Sequence, residues 1–538
     1  MSRMNKSQQV DYIVVGAGSA GCVLANRLSA NPDTKVALFE AGKKNNSWKV
    51  HMPAALTYNL ENNKHNWFYH TEPQKELHYR KLYWPRGKVM GGSSALNAMV
   101  YIRGHAKDFD RWHDEGATGW NYDNVLPYFK RSESYSKGGN FYRGDSGPLK
   151  VAHKISDNPL FDAFIEAGVQ AGYPRSLDIN GAQQEGFGRF DMTIDGGQRC
   201  SAAAAYLSSS VLKRNNLSCF TQAQVTKIIT QKGKAIGIEY IKAGKVKQCY
   251  AAKEVILAGG AINSPQLLML SGIGPADSLQ GLNIPVVSDL PGVGQNLQDH
   301  LEYYMQYECK KPITLHSVSN PLKKISTGLQ WFLTRKGLAA SSHLEAGAFI
   351  SSRADVEHPD IQYHFLPSIV SNHGRNFGDC HAFQVHVGTL RPESRGSLEL
   401  VSSNPLAPMK IHANYLQTSN DLNDLVAGVT LTRELFKQPA FKPFKGKEIQ
   451  PGLNCQTTKE MEEFIKAKAD SAYHPCGTCK MGLDSMAVVS PEAKVYGMEQ
   501  LRVVDASIMP SNLSGNLNAS TIMMAERLSD LILGRVEI

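Results

Sequence analysis

No run of eighteen apolar residues occurs anywhere in this chain of 538 residues, so no segment has the length and hydrophobicity of a membrane span. Internal repeats and low-complexity tracts are also missing, so the architecture has to be read from alternating apolar strands, glycine turns and helices. Lysine and arginine form no dense stretch interleaved with aromatics, which argues against a nucleic-acid partner. The nine cysteines are odd in number and scattered, a usage that suits a reducing compartment better than a disulfide framework. A single Cys-x-x-Cys, Cys476-Gly477-Thr478-Cys479, has the spacing of a redox dithiol or half a zinc site. With no second pair, and no helical pattern directly after it, it reads as packing of small thiols, and no metal is expected. The polar start, Met1 to Gln9, meets an apolar strand at once and leaves no room for a secretory signal. A cytoplasmic protein is therefore expected. Its net charge of +9 serves solubility or attraction to an anionic inner-membrane surface, a peripheral contact.

What is present begins with Asp11-Tyr12-Ile13-Val14-Val15, followed by Gly16-Ala17-Gly18-Ser19-Ala20-Gly21 and the helical pattern Cys22 to Leu28. Gly16 permits a tight turn, Gly18 lets backbone approach a pyrophosphate, and Gly21 lets helix pack closely on strand. The helix start then offers free N–H groups and a positive dipole end to the anion. A second apolar strand, Val36 to Phe39, ends at Glu40, where an acid meets a ribose hydroxyl. These features together predict a dinucleotide site, without separating NAD from FAD.

Strand patterns return at Gln224 to Ile229 and at Lys253 to Ala258, the latter running into Gly259-Gly260 and a helix over 265–270. From about 310 to 470 the strands have mixed polarity, as in Ile361-Gln362-Tyr363-His364-Phe365 and His381 to Gly388. That alternation predicts a sheet with one buried face and one face lining a cavity. Leu501 to Ser507 and the amphipathic run Ile522 to Ile532 return to the nucleotide-domain texture. The expected class is α/β: a Rossmann-like nucleotide domain (10–42, 84–105, 215–305 and 475–538). It is interleaved with an α+β cap and substrate domain on an antiparallel sheet (43–83, 106–214 and 306–474).

His474 lies in Ala472-Tyr473-His474-Pro475-Cys476, where Pro475 pushes it toward an extended backbone and so fixes where the imidazole points. Two glycine-rich blocks accompany it, Pro85 to Asn97 and Gly260 to Gly274. With the N-terminal fingerprint, His474 and Asn518, they resemble the glucose-methanol-choline (GMC) oxidoreductase family over essentially the full chain. The resemblance is strongest to choline-oxidising members, through Ile361 to Pro367, His474 to Gly482, Val503 to Pro510 and Gln298-Asp299-His300-Leu301-Glu302.

The resemblance implies FAD and the oxidation of an alcohol, choline to betaine aldehyde and onward to glycine betaine. It places the cofactor against Gly16, Gly18, Ser19, Ala20, Gly21, Glu40, Ala41, Arg86, Gly91, Gly92, Ser93, Asn97, Ala98, Met99, Val100, Val225, Asp505, Ala506, Asn516, Asn518 and Thr521. His474 is implied as general base, with Asn518 hydrogen-bonding the reacting oxygen as it gains charge. Glu302, Trp67, Tyr473 and His364 are implied around the substrate, since a quaternary ammonium has no hydrogen-bond donor and is held by charge and cation–π contact. Leu96 stands where some choline oxidases carry a flavin-linking histidine, so the FAD is expected to be noncovalent. A quinone or the respiratory chain is the expected electron acceptor. Dehydrogenases of aliphatic primary alcohols, which share Glu345-Ala346-Gly347 and the pattern over 515–526, are the competing reading within the family.

Overall fold

The apolar run after Asp11 forms the strand Gln9–Val15, which lies at the centre of a seven-stranded sheet. The computed structural model describes residues 9–371 and 376–537, so the polar segment Met1 to Gln8 lies outside the described residues. In space the sheet runs Leu217–Thr221, Val36–Glu40, Gln9–Val15, Lys245–Leu257, Lys234–Lys242, Ala223–Gln231. The first four strands are parallel and the last three form an antiparallel meander. Leu501–Val503 joins in parallel beside the end of Lys245–Leu257. Val36–Glu40 is buried at every residue, as a strand covered on both faces must be, and its apolar sequence reflects that.

Helix Ser19–Leu28 packs on this sheet and against the C-terminal helix Asn518–Ile532. Their junction is the carboxylate of Glu526, which has no exposed surface. Arg27 donates to both of its oxygens at 2.7 and 2.9 Å, Tyr206 donates at 2.7 Å, and Arg131 at 2.9 Å. A carboxylate buried this deeply is tolerated only with such a full set of donors. The clamp holds the start of the last helix beside the first glycine loop, which is where the cofactor end of the site is built.

The second sheet is antiparallel, in the order Lys445–Gln450, Leu301–Cys309, Ala382–Thr389, Ile361–Leu366, Ala346–Ile350, Gly186–Arg189, with Asp470–Ser471 pairing beside Leu301–Cys309. Its alternation divides two environments, but neither face lines the cavity as expected from sequence, since none of these strands contributes to the cavity wall. Phe365 and Phe383 point into a cluster with Phe164 and Phe436, whereas Gln362 and His364 point to Asn516. One boundary moves. Leu301–Cys309 belongs wholly to this sheet, so the nucleotide domain ends before Leu301 and not at 305. The polar run Gln298-Asp299-His300 stands directly before this strand, and the boundary expected from sequence carried the nucleotide domain past it. Among the described residues no helix is long and apolar enough to cross a membrane.

Candidate active site

Two glycine loops lie flat against each other to form the floor of the site. A Cβ on Gly21 would sit 1.8 Å from the Gly16 oxygen, so only glycine allows the first helix to start this close to its strand. Gly92 has φ +54°, and a Cβ there would meet the Gly18 Cα at 2.6 Å. The Gly91 N–H donates to the Ala17 oxygen at 2.7 Å and ties the loops together. Above them lies a cavity of about 340 Å³. Of the residues expected at the cofactor, all but Gly21 and Gly91 line it; those two shape the loops from behind.

The same cavity is bordered by the Glu40 strand end and by His474 and Asn516, so nucleotide and reactive ends share one space. Glu40 accepts from the Ala17 and Gly42 N–H groups at 3.0 and 2.7 Å, and burial pushes its carboxyl up to about 7. A glycine cradle at a helix start, with an acid at the next strand end, fits a dinucleotide such as FAD. Leu96, also on the cavity wall, offers no nucleophile for a flavin link. Two of these lining residues also tie the frame together. Arg86 donates to the backbone oxygens of Tyr473 and Pro85, both at 2.6 Å. Asp505 accepts from Gly260 N–H at 2.8 Å and Ser264 Oγ at 2.6 Å, locking the second glycine turn.

The segment Gln298 to Glu302 runs antiparallel beside Asp470 to Cys476 and positions most of the reactive end. Gln298 exchanges backbone hydrogen bonds with Cys476 at 3.0 and 3.1 Å, and Ala472 N–H donates to the His300 oxygen at 2.9 Å. Asp299, pushed up to about 6 by burial, accepts the His474 backbone N–H at 2.6 Å and the hydroxyls of Ser471 and Tyr415.

His300 fixes the tautomer of His474. Its Nε2 lies 2.9 Å from the Leu390 carbonyl oxygen, which can only accept, so that nitrogen carries the proton. Burial pushes His300 down to about 4, leaving it neutral with a lone pair on Nδ1. That lone pair faces His474 Nδ1 at 2.9 Å, so His474 donates from Nδ1 and keeps its own lone pair on Nε2. Burial, then the neighbouring His300, His364 and Arg86, hold His474 well below its usual range. The result is a neutral imidazole with a basic nitrogen directed at Asn516 and the cavity.

Asn516 Nδ2 lies 3.0 Å from His474 Nε2. Its Oδ1 faces Gln362 Nε2 at 3.2 Å and His364 Nε2 at 3.4 Å, which sets which end of the amide donates to His474. This corrects the pairing expected from sequence. Asn518 lines the cavity but accepts from Ser19 Oγ at 2.7 Å, on the glycine loop. Asn518 is the first residue of the last helix and is held to that loop by Ser19; Asn516 precedes the helix and faces the imidazole.

A second cluster surrounds Glu302. Burial pushes its carboxyl up, but His386, whose Nδ1 is 2.9 Å from Oε1, with His364 and His300, carries it below the usual carboxylate range. Tyr304 hydrogen-bonds Glu302. Asp470 stands directly across the strand pair, on the same face, and is pushed up to about 7 by burial and by Glu302, against Arg80. Tyr473, at φ +65°, lines the cavity within the field of both carboxylates. Trp67 lines the cavity as well; Lys88 Nζ lies 4.1 Å from its ring centroid, and Tyr69 stacks parallel to it. Glu302 and His364 stand behind the wall of the cavity rather than in it. Sequence reasoning missed His386, Tyr304 and Asp470, whose approach depends on strand register, and it quoted Asp299 and His300 without giving them roles. Cys476 and Cys479 are fully buried thiols pushed up by burial, packed in the core.

Comparison with known proteins bears on this geometry. Family models described as GMC oxidoreductase match residues 10–302 and 392–525. Choline dehydrogenase, mitochondrial, of Mus musculus is 56% identical over 532 residues, covering 97% of this chain and 89% of that protein. Oxygen-dependent choline dehydrogenase of Vibrio vulnificus (strain YJ016) is 51% identical over 530 residues, covering 98% and 94%. Among solved structures, pyridoxine 4-oxidase from Mesorbium loti superposes with a TM-score of 0.89 at 32% identity, over 98% of this chain and 100% of that one. An FAD-dependent oxidoreductase from Chaetomium thermophilum gives 0.89 at 27% identity, over 98% and 99%.

Proposed function

The chain belongs to the GMC oxidoreductase family and is an FAD-dependent oxidoreductase acting on CH–OH donors, and from that premise we propose that it oxidises choline to betaine aldehyde and onward to glycine betaine. When bound, FAD would supply the acceptor for the hydride lost from the carbinol carbon; for the second oxidation the aldehyde first adds water to give a gem-diol, which again offers a hydroxyl proton and a hydride. His474 Nε2 takes the hydroxyl proton, because its Nδ1–H is committed to His300. Asn516 Nδ2 donates to the oxygen as it becomes alkoxide-like, a preorganised dipole aimed where charge develops. Tyr473 on the cavity wall supplies a π face, and Glu302 and Asp470, behind that wall with Tyr304, supply negative charge for a trimethylammonium head. With Leu96 in the cofactor loop, the FAD is held noncovalently, and we take a quinone or the respiratory chain as electron acceptor. The place of work is cytoplasmic, in peripheral contact with an inner membrane.

The observation that carries this reading is the His300–His474–Asn516 chain, which leaves one basic nitrogen and one donor side by side at the cavity. Its test is His474→Ala: turnover collapses while the flavin absorbance of the purified protein stays, and normal turnover removes His474 from the role. An uncharged aliphatic alcohol has no use for two buried carboxylates. Glu302→Gln should therefore cost choline far more than a plain primary alcohol; equal losses would return the substrate to the aliphatic class. Oxygen uptake against reduction of a quinone analogue, with choline as donor, decides the acceptor.

A further inference from the structure

Helix Pro321–Thr334 presents its apolar residues to the outside. At 100° per residue, Leu322, Ile325, Leu329, Phe332 and Leu333 fall within an arc of about 100°. Leu322 is 77% exposed, Ile325 67%, Leu329 56% and Leu333 75%, whereas Trp331 on the opposite side is 1% exposed. The helix is tightly anchored by that opposite side: Trp331 Nε1–H donates to the Gly197 oxygen at 2.7 Å and packs with Met52 and Ala55. Asn320 caps its start, accepting from Leu322 N–H at 2.9 Å, and Arg335 closes its end in the left-handed region. A well-held helix with its apolar stripe turned to solvent has an unmet partner.

Charge says which partner. Lys323, Lys324 and Lys336, all exposed, lie on the helix or just past its end, and no acidic residue falls between Glu308 and Glu345. Lys49 and Lys324 extend over the rings of Trp48 and Tyr58 beside the helix. Trp48, itself partly exposed, meets Phe332 edge-on at 5.7 Å and continues the apolar surface. A second copy of this chain would set like charges against one another across such a face. An anionic lipid surface meets both requirements, with the apolar stripe sinking into the acyl boundary and the ammonium groups reaching up to the headgroups.

We propose that the outer face of helix Pro321–Thr334, with Trp48, is a docking surface for an anionic lipid bilayer. Met52 and Ala55, on which the helix rests, lead directly into Leu56 and Leu60, which line the cofactor cavity. Docking by this face therefore brings the cavity beside the bilayer, where a lipid-soluble electron acceptor resides. The inference rests on the peripheral membrane contact of the proposed function, to which it gives a surface, and it stands whichever alcohol is the substrate.

The test uses the FAD-loaded enzyme with vesicles of phosphatidylcholine alone or mixed equally with phosphatidylglycerol. Wild type should co-sediment with the mixed vesicles and much less with the neutral ones. The triple variant Leu322→Ser, Leu329→Ser, Leu333→Ser should partition at least about tenfold more weakly, with flavin content and turnover on a soluble acceptor unchanged. Should that variant fold poorly, Lys323→Gln with Lys324→Gln and Lys336→Gln keeps the apolar stripe and should lose the preference for anionic vesicles. Equal partitioning of wild type and variants overturns the proposal. So does a wild type that ignores both vesicles yet runs as a dimer which the leucine variant converts to monomer, since the face is then an interface between copies.

Discussion

Replacing Asn516 and Asn518 one at a time separates two amides that stand two residues apart and do different work. Asn516 places its Nδ2 3.0 Å from the basic nitrogen of His474, where an alcohol oxygen handing over its proton has to lie. Removing one preorganised donor from a developing oxyanion costs about 2.7–4 kcal/mol, or about 10²–10³-fold in kcat. Asn518 accepts a single neutral hydrogen bond from Ser19 on the glycine loop. Losing that bond is worth about 0.5–1.5 kcal/mol, which appears as roughly a two- to tenfold weaker hold on FAD. The assay is anaerobic single-turnover bleaching of the flavin, normalised per bound flavin, beside reconstitution of apoprotein with FAD. Asn516→Ala should lose chemistry and keep cofactor; Asn518→Ala should keep chemistry per flavin and lose affinity. A larger loss of turnover per flavin in Asn518→Ala than in Asn516→Ala would refute the assignment.

Removing the acceptor on His300 should free His474 to adopt the wrong tautomer. His300→Leu is expected to lower kcat by about 10–10² at nearly constant KM, and His300→Asn, whose amide oxygen can accept, should recover part of it; a pure KM effect would contradict the tautomer role. FAD affinity should depend on pH through Glu40, whose carboxyl burial raises to about 7. Ribose hydroxyls favour the ionised form, so affinity is full above pH 7 and weakens as pH falls through it, by at most about tenfold per unit. Glu40→Gln should flatten that profile in reconstitution titrations; an unchanged slope would place the ribose elsewhere.

What could be read from sequence was what local pattern determines. The strand, glycine turn and helix over 9–28 form one contiguous signal, and the apolar run Val36 to Phe39 can only be a strand covered on both sides. The sequence context of His474 shows only that Pro475 restricts its backbone; the residue was picked out by the family resemblance that the accompanying glycine-rich blocks carry. The partner amide was not. Asn516 and Asn518 flank Leu517 where the last helix begins, and nothing in the local sequence sets which one faces the imidazole; what separates them is the bond of Asn518 to Ser19, at the far end of the chain. Asp470 was hidden for a similar reason. It enters the substrate cluster only because Asp470–Ser471 pairs with the start of Leu301–Cys309, a contact across 168 residues of chain (470 − 302 = 168).

That pairing has a chemical consequence. Two carboxylates opposite each other on one face of a strand pair repel, and burial makes the repulsion harder to screen. The fold does not relieve it fully: His386 and its neighbours hold the Glu302 carboxyl below the usual range, while burial first and the Glu302 charge after it push Asp470 up to about 7. A cation between Tyr304 and Tyr473 would relieve both groups at once and pull Asp470 back toward its ionised form. Linkage then fixes the sign. A cationic substrate binds best above pH 7, where Asp470 is already charged, and its affinity weakens as pH falls through 7 by at most about tenfold per unit. An uncharged primary alcohol gains nothing from the ionised form, so the ratio of KM for choline to KM for a plain alcohol should fall with rising pH and level off above 7. Asp470→Asn should abolish that trend while leaving the plain alcohol's KM in place. A ratio independent of pH in the wild type would mean that the two carboxylates do not serve a cation.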